Sequence, residues 1–247
     1  MKRLIRSALG AAGLEVRLRR NVATARAAEK KVQALEPWLR LRRYCAKTIL
    51  DIGANDGYSV TLFREIFPHA TILSFEPLED CFKKVEAVLA QSPPGKAFHC
   101  ALGDIDGASA IYRSESSPSS SLLPMDELHR VEFPHTAKAT EEQICVRRLD
   151  GMTGELQIQN PLLVKIDVQG FEDRVIRGGS ETLRTAAAVV VELSSYSLYR
   201  GQANFSAVNA QLESLGFAFR GAVDQMYSPK DGRILQFDGL FENTRVS

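Results

Sequence analysis

Five short apolar runs in this chain end on or beside an acidic residue, and most of them lead into a stretch with helical spacing. The first run, residues 48–52, opens the loop Asp51-Ile-Gly-Ala-Asn-Asp-Gly57. Residues 58–67 then set Leu62, Ile66 and the Phe63/Phe67 pair at helical spacing until Pro68 stops them. Residues 70–75 form a second run ending at Glu76-Pro77. A helix over 79–90 aligns Phe82, Val85 and Leu89, and Pro93-Pro94-Gly95 closes it. Residues 97–102 read as a third strand finishing at Gly103-Asp104. Further on, strands at 162–168 and 187–193 alternate with helices at 171–183 and 204–215. Residues 217–223 and 234–241, separated by Ser-Pro and Asp-Gly turn signals, read as an antiparallel hairpin. Continuous apolar strands separated by helices imply a mostly parallel sheet covered on both faces, to which the hairpin adds one antiparallel strand.

Residues 105–160 interrupt this rhythm. Strand segments at 109–112 and 144–149 flank a serine-rich stretch, 114–121, with six serines in eight positions. Polar residues carrying His129 and His135 follow. An insertion of this length is expected to be functional or flexible; its two histidines could touch a substrate, although a surface position is the simpler expectation.

The 247 residues suit one large domain with an appendage. Cys45, Cys81, Cys100 and Cys145 form no C-x-x-C pair, which argues against a zinc cluster or a disulfide framework and for reduced thiols in a cytoplasmic setting. The net charge of +1 hides an asymmetry: residues 1–47 hold 13 Lys/Arg against 3 Asp/Glu, and the remaining 200 hold 18 against 27. The chain therefore divides into a basic helical arm, 1–46, and an acidic domain, 47–247. A phosphate-reading face needs clustered cations, so the acidic body is not a nucleic-acid reader. No apolar run approaches the ~20 residues of a membrane span, and the arm lacks the uninterrupted core of a signal peptide. Trp38, Leu39 and Leu41 interleave with Arg40, Arg42 and Arg43. That pattern suits peripheral contact of residues 1–43 with an anionic inner membrane surface, or else a solvated helix packed on the domain or a partner subunit.

In a parallel sheet, ligands bind beyond the carboxyl ends of the strands, where the strand order reverses. Asp51, Glu76, Asp104, Asp167 and Glu192 all fall at such ends, an acidic rim suited to a cationic or hydroxyl-rich ligand. Gly53 and Gly57 allow tight turns in the first loop, and the helix that follows offers free N–H groups. Asn55 occupies the middle position, so the loop is not the G-x-G-x-x-G of dinucleotide enzymes, and no G-K-[ST] phosphate loop is present. Glu76 lies 25 residues after Asp51, a spacing that suits a carboxylate accepting both ribose hydroxyls. Together these residues fit an adenosine-containing cofactor without a pyrophosphate.

Ile-Leu-Asp51-Ile-Gly-Ala-Asn-Asp-Gly57, Ser-Phe-Glu76-Pro, Ala-Leu-Gly-Asp104, Lys165-Ile-Asp-Val-Gln-Gly-Phe-Glu172 and Asp238-Gly-Leu-Phe241 resemble, in this order, the FkbM-type S-adenosylmethionine-dependent methyltransferases over about residues 47–243. The resemblance implies a Rossmann-like, class I methyltransferase α/β fold with a seven-stranded sheet. It also implies O-methylation of a hydroxyl on a glycan, glycolipid or secondary metabolite. By the same resemblance Asp51 and Gly53 lie near the methionine moiety, Glu76 on the ribose and Asp104 near the adenine. Gln169 stands where the family frequently has Glu, so that position receives no catalytic role. A protonated hydroxyl is a poor nucleophile, and a positioned base should help. Asp167 is the first candidate and Glu192 the second, although either could instead bind the cofactor ammonium or pair with Lys165 or Arg174. Asp167, Glu192 and Asp238 also form a candidate oxygen set for Mg²⁺. The rival from another class is a noncatalytic nucleotide-binding or scaffold protein that retains the fold.

Overall fold

A computed structural model describes residues 32–245 together with Arg26, Glu29 and Lys30. In order, the elements are β1 (Thr48–Ile52), α1 (Tyr58–Ile66), β2 (Thr71–Phe75), α2 (Glu79–Gln91), β3 (Gly95–Phe98), β4 (Ala101–Leu102), β5 (Gly107–Ser114), α3 (Glu127–Glu132), β6 (Ala139–Arg147), α4 (Thr153–Leu156), β7 (Leu162–Ile166), α5 (Glu172–Gly178), α6 (Ser180–Leu183), β8 (Ala186–Ser194), α7 (Phe205–Leu215), β9 (Phe217–Tyr227) and β10 (Ile234–Asn243). Several short 3-10 turns connect them.

Seven strands form the central sheet in the order β3-β2-β1-β7-β8-β10-β9. Every residue of β1 and β7 is buried, which is why both read as mainly apolar runs without alternation, broken only by Thr48, Asp51 and Lys165. β1 pairs in parallel with β2 on one side and β7 on the other, so sheet growth reverses direction between β1 and β7. That reversal is the topological switch point at which ligands are expected. The register sets Asp51 opposite Ser74 on β2 and Lys165 on β7. β10 runs antiparallel to β8 and to β9, as the turn signals between residues 223 and 234 predict.

Two sequence expectations change. The third strand, read as 97–102, is split. β3 stays in the central sheet, and after a tight turn (Cys100 N–H to the Phe98 carbonyl, 3.0 Å) β4 joins a second sheet of order β4-β6-β5. The cause is packing on two cores. Leu102 belongs to the main core, whereas Ala101 packs with Ile111, Ile144 and Val146. The insertion is thus a folded sheet, not a loose segment. The helix read at 171–183 breaks at Gly179, where two adjacent glycines weaken helical propensity.

The chain falls into two compact units, residues 1–39 and 40–247. In the first, residues 29–30 and 32–35 are helical, and the remainder of the basic arm lies largely outside the described residues, as does most of the expected membrane contact. In the second, Leu41 is fully buried, Arg40 donates to the Ala222 carbonyl and Arg43 pairs with Glu242. These three residues, which the sequence left between a lipid interface and packing on the domain, are held by the domain itself. Among the described residues no helix is long and apolar enough to cross a membrane.

Candidate active site

The loops after β1 and β7 touch at the switch point. Gly53 has φ +87°, and a Cβ built on it would stand 1.8 Å from the Asp167 carbonyl oxygen, so only glycine fits. Asn55, at φ +47°, aims its N–H at Glu76 Oε2 (2.8 Å), and Leu78 N–H donates to Glu76 Oε1 (2.9 Å). Glu76 is 5% exposed, and burial pushes its carboxyl up to about 7 against the pull of those two donors. A carboxylate oxygen accepts two hydrogen bonds, so each keeps a lone pair for a further donor.

Asp51 lies beneath the loop, fully buried. Its Oδ2 accepts from Ser59 Oγ (2.6 Å) and Ser74 Oγ (3.3 Å), while Oδ1 has no partner. Burial raises its pKa, opposed by the charge of Lys165. Gly57, at φ +85°, is the N-cap of α1. Asp104 is held by Arg177 (Nε 3.1 Å, Nη2 3.0 Å), which also grips Asp173 at 2.9 Å.

On the other side of the switch point, Lys165 Nζ sits 2.7 Å from Asp167 Oδ2 with its side chain 8% exposed. Burial acts to lower the lysine pKa, but the charges of Asp167, Asp238 and Asp51 outweigh it and raise the pKa above the usual range. Burial likewise acts to raise that of Asp167, yet Lys165 and the bonds from Gln169 and Glu192 hold it below the ordinary carboxylate value. Glu192 goes the opposite way. Burial and the carboxylates of Asp167, Asp238 and Glu172 push it well up. Gln169 Nε2 bridges Asp167 Oδ1 (2.9 Å) and Glu192 Oε2 (2.5 Å), and Gln236 Nε2 donates to the same Oε2 at 2.7 Å. Arg174, the other cation considered for Asp167, pairs with Asp173 instead. Among the described residues no three His, Cys, Asp or Glu side chains are grouped to hold a metal ion. The Mg²⁺ expectation for Asp167, Glu192 and Asp238 therefore fails on geometry: an amide and an ammonium stand where a cation would need oxygen ligands.

Gly53, Asn55, Glu76, Asp167 and Glu192 line one cavity of about 320 Å³, whereas Asp51, Gly57 and Asp104 do not reach its wall. Three strand spacings separate the β2 and β8 sides, roughly 14 Å. The serine-rich stretch and Leu122 also line it, and Ser121 Oγ donates to the Gln169 carbonyl at 2.6 Å. His129 is buried in the cavity lining, not exposed as the sequence suggested; its ring packs on Tyr199 (5.1 Å) and Phe133 (5.5 Å). Thr136 Oγ1 donates to the Phe133 carbonyl and so accepts from His129 Nε2 at 3.0 Å, which leaves Nδ1 as the bare ring nitrogen, without a partner. His135 is exposed at the cavity edge. Gln169, Tyr199 and Gln236 were given no role from the sequence. Only Gln169 carried a signal, as the odd residue in its motif.

The methyltransferase FkbM domain family matches residues 51–219. The 2-O-methyltransferase NoeI of Sinorhizobium fredii is 28% identical over 166 residues, 65% of this chain and 68% of that protein. Methyltransferase 1 of Beauveria bassiana is 31% identical over 183 residues, 69% and 72% of the two chains. Among solved structures, the methyltransferase FkbM of Methylobacillus flagellatus aligns with a TM-score of 0.52 at 13% identity, covering 80% of this chain and 44% of that one, a likeness of fold.

Proposed function

The chain belongs to the FkbM methyltransferase family and is a methyltransferase with a Rossmann-like α/β fold, and from that premise we propose that it transfers a methyl group from S-adenosylmethionine to a hydroxyl of a glycan, glycolipid or secondary metabolite. One observation carries the reading: a single cavity at the switch point joins Gly53, Asn55 and Glu76 to Asp167 and Glu192. The name of the Sinorhizobium relative, a 2-O-methyltransferase, supports an oxygen acceptor.

The residues present fit the cofactor. Glu76 is fixed by two backbone donors with a lone pair spare on each oxygen, as a ribose diol requires. Gly53 and Asn55 line the cavity beside it, and Gly53 lets the loop after β7 close against the loop after β1. When bound, S-adenosylmethionine supplies a methyl group already activated for displacement by its sulfonium charge. The chain's own work is to align a hydroxyl oxygen, exclude water and take up the hydroxyl proton. Glu192 suits that last task better than Asp167, the candidate the sequence ranks first. Both Asp167 oxygens are engaged, by Lys165 and Gln169, and its proton affinity is low. Glu192 has a raised affinity, and both amide donors act on Oε2 rather than Oε1.

Calorimetry with S-adenosylhomocysteine tests the cofactor half, and absence of binding overturns it. Mass spectrometry of glycans and lipids from cells with and without the protein tests the acceptor half, a gain of one methylene being expected. Binding without transfer across such a panel favours the scaffold alternative.

A further inference from the structure

We propose that Gln169 is a positioning residue: its side-chain amide locks Glu192 and Asp167 into one fixed arrangement, and its backbone seats the serine-rich stretch over them. The proposal rests on the methyl-transfer reading above, because it assigns a purpose to Glu192.

An amide nitrogen has two hydrogens, and both of Gln169's are used, one on Asp167 Oδ1 (2.9 Å) and one on Glu192 Oε2 (2.5 Å). The amide oxygen accepts from Tyr199 Oη at 2.9 Å. The reverse orientation would aim that oxygen at two carboxyl groups, so the surroundings permit one arrangement. The backbone is built to present it. Gln169 has φ +54° and Gly170 φ +97°, and Glu172 Oε1 accepts the N–H groups on both sides, from Val168 (3.2 Å) and Gly170 (3.0 Å). The Gln169 carbonyl takes Ser121 Oγ at 2.6 Å, and Tyr199 Oη also lies 3.2 Å from the Ser119 carbonyl, within reach as an alternative acceptor. Tyr199 itself is fully buried against His129. One residue thus gathers the loop after β7, the loop after β8 and the strand β8 through its side-chain amide, and the serine-rich stretch through its backbone carbonyl.

Its charge matters as much as its shape. Glu192 faces Asp167 and Lys165 on the β7 side, Glu172 on α5, Asp238 on β10 and the Tyr199 hydroxyl. Four of those five are carboxyl or phenol groups, and Lys165 is committed to Asp167. Gln169 and Gln236 each turn a neutral N–H donor on Glu192, and those donors favour its ionised form beside them. Leucine at 169 removes both donors, and glutamate there adds a further acid.

The test follows individual carboxyl carbons of the full chain by ¹³C NMR against pH, with Glu192→Gln to assign the Glu192 signal. In Gln169→Leu the Glu192 midpoint is expected to rise by about one pH unit, a tenfold gain in proton affinity and the scale of one charge-assisted hydrogen bond. In Gln169→Glu, nearly isosteric and able to fold should leucine fail, it is expected to rise further. The remote carboxyl of Glu242 should not move in either. An unmoved Glu192 midpoint in a folded variant overturns the positioning role. Calorimetry of the wild-type sample with S-adenosylhomocysteine separates the two failures: no binding refutes the methyl-transfer reading alone, whereas binding with an unmoved midpoint refutes only the role of Gln169.

Discussion

Replacing Gly53 with alanine should do more than restrict a turn. The residue sits at φ +87°, where an L side chain costs about 1–2 kcal/mol. Its Cβ would meet Asp167 O at 1.8 Å and Asp167 C at 2.9 Å, both backbone atoms. Relief needs the loops after β1 and β7 to part by more than an ångström, and strain of that kind costs roughly 1–3 kcal/mol more. The sum, about 2–5 kcal/mol, is a large share of the ~5–15 kcal/mol that holds a domain folded. At about 2–4 °C per kcal/mol for a domain of this size, the melting midpoint should fall by roughly 4–20 °C. Gly57→Ala provides the control. Its φ is +85°, but the new Cβ would meet the Val88 side chain at 3.2 Å and the Val85 Cα at an ordinary 3.6 Å, so the conformational part dominates. Urea unfolding of both variants, with S-adenosylhomocysteine affinity measured on each, isolates the loop contact. Equal destabilisation of the two, or unchanged ligand affinity in Gly53→Ala, would show that the touching loops do not shape the cavity.

Four further outcomes are expected. Glu76→Ala should weaken S-adenosylhomocysteine binding by about 1.5–3 kcal/mol, the worth of charge-assisted hydrogen bonds, and calorimetry showing unchanged affinity would remove Glu76 from the ribose. Glu192→Gln should lower turnover on a responsive glycan or lipid fraction about 10²–10⁴-fold while sparing S-adenosylhomocysteine affinity. Asp167→Asn should instead destabilise the fold by about 2–4 kcal/mol, discounted for partial exposure, because Lys165 loses its buried partner; the opposite pattern would restore Asp167 as base. Affinity for S-adenosylmethionine should climb from about pH 6 to about pH 8 by up to a decade per proton released, with a flatter profile for S-adenosylhomocysteine. Parallel calorimetric profiles would refute that difference.

The parts of this molecule that local chemistry dictates were legible in the sequence. β1, β2, β7 and β8 announce themselves because burial on both faces makes them mainly apolar without alternation, and Glu76 because it follows one of them. The split between β3 and β4 was not legible, since Ala101 and Leu102 are equally apolar and only the folded chain sends them to different cores. His129 looked like a surface residue because its neighbours are polar, yet Tyr199 from the loop after β8 covers it. Gln236 comes to Glu192 from the antiparallel strand β10, and no local spacing relates the two. What stayed hidden is what depends on cross-strand partners.

Those partners give the cavity an electrical character that no single residue has. Lys165 is one cation among Asp51, Asp167 and Asp238, with Glu192 alongside. Burial holds Glu76 and Asp238 near 7 and Glu192 well above its ordinary value, so near neutral pH the site carries protons that a positive ligand would expel. Ionised carboxylates favour a cation, which is the sign behind the rise of S-adenosylmethionine affinity with pH; the neutral sulfur of S-adenosylhomocysteine provides no such drive. The same arithmetic closes for the reaction. In the proposed reaction the acceptor would lose its hydroxyl proton as the ligand's positive charge is lost, and Glu192 would be easier to protonate once that charge is gone. Proton uptake by Glu192 and a loosened hold on the product would then be one electrostatic event, both depending on the acids outnumbering Lys165.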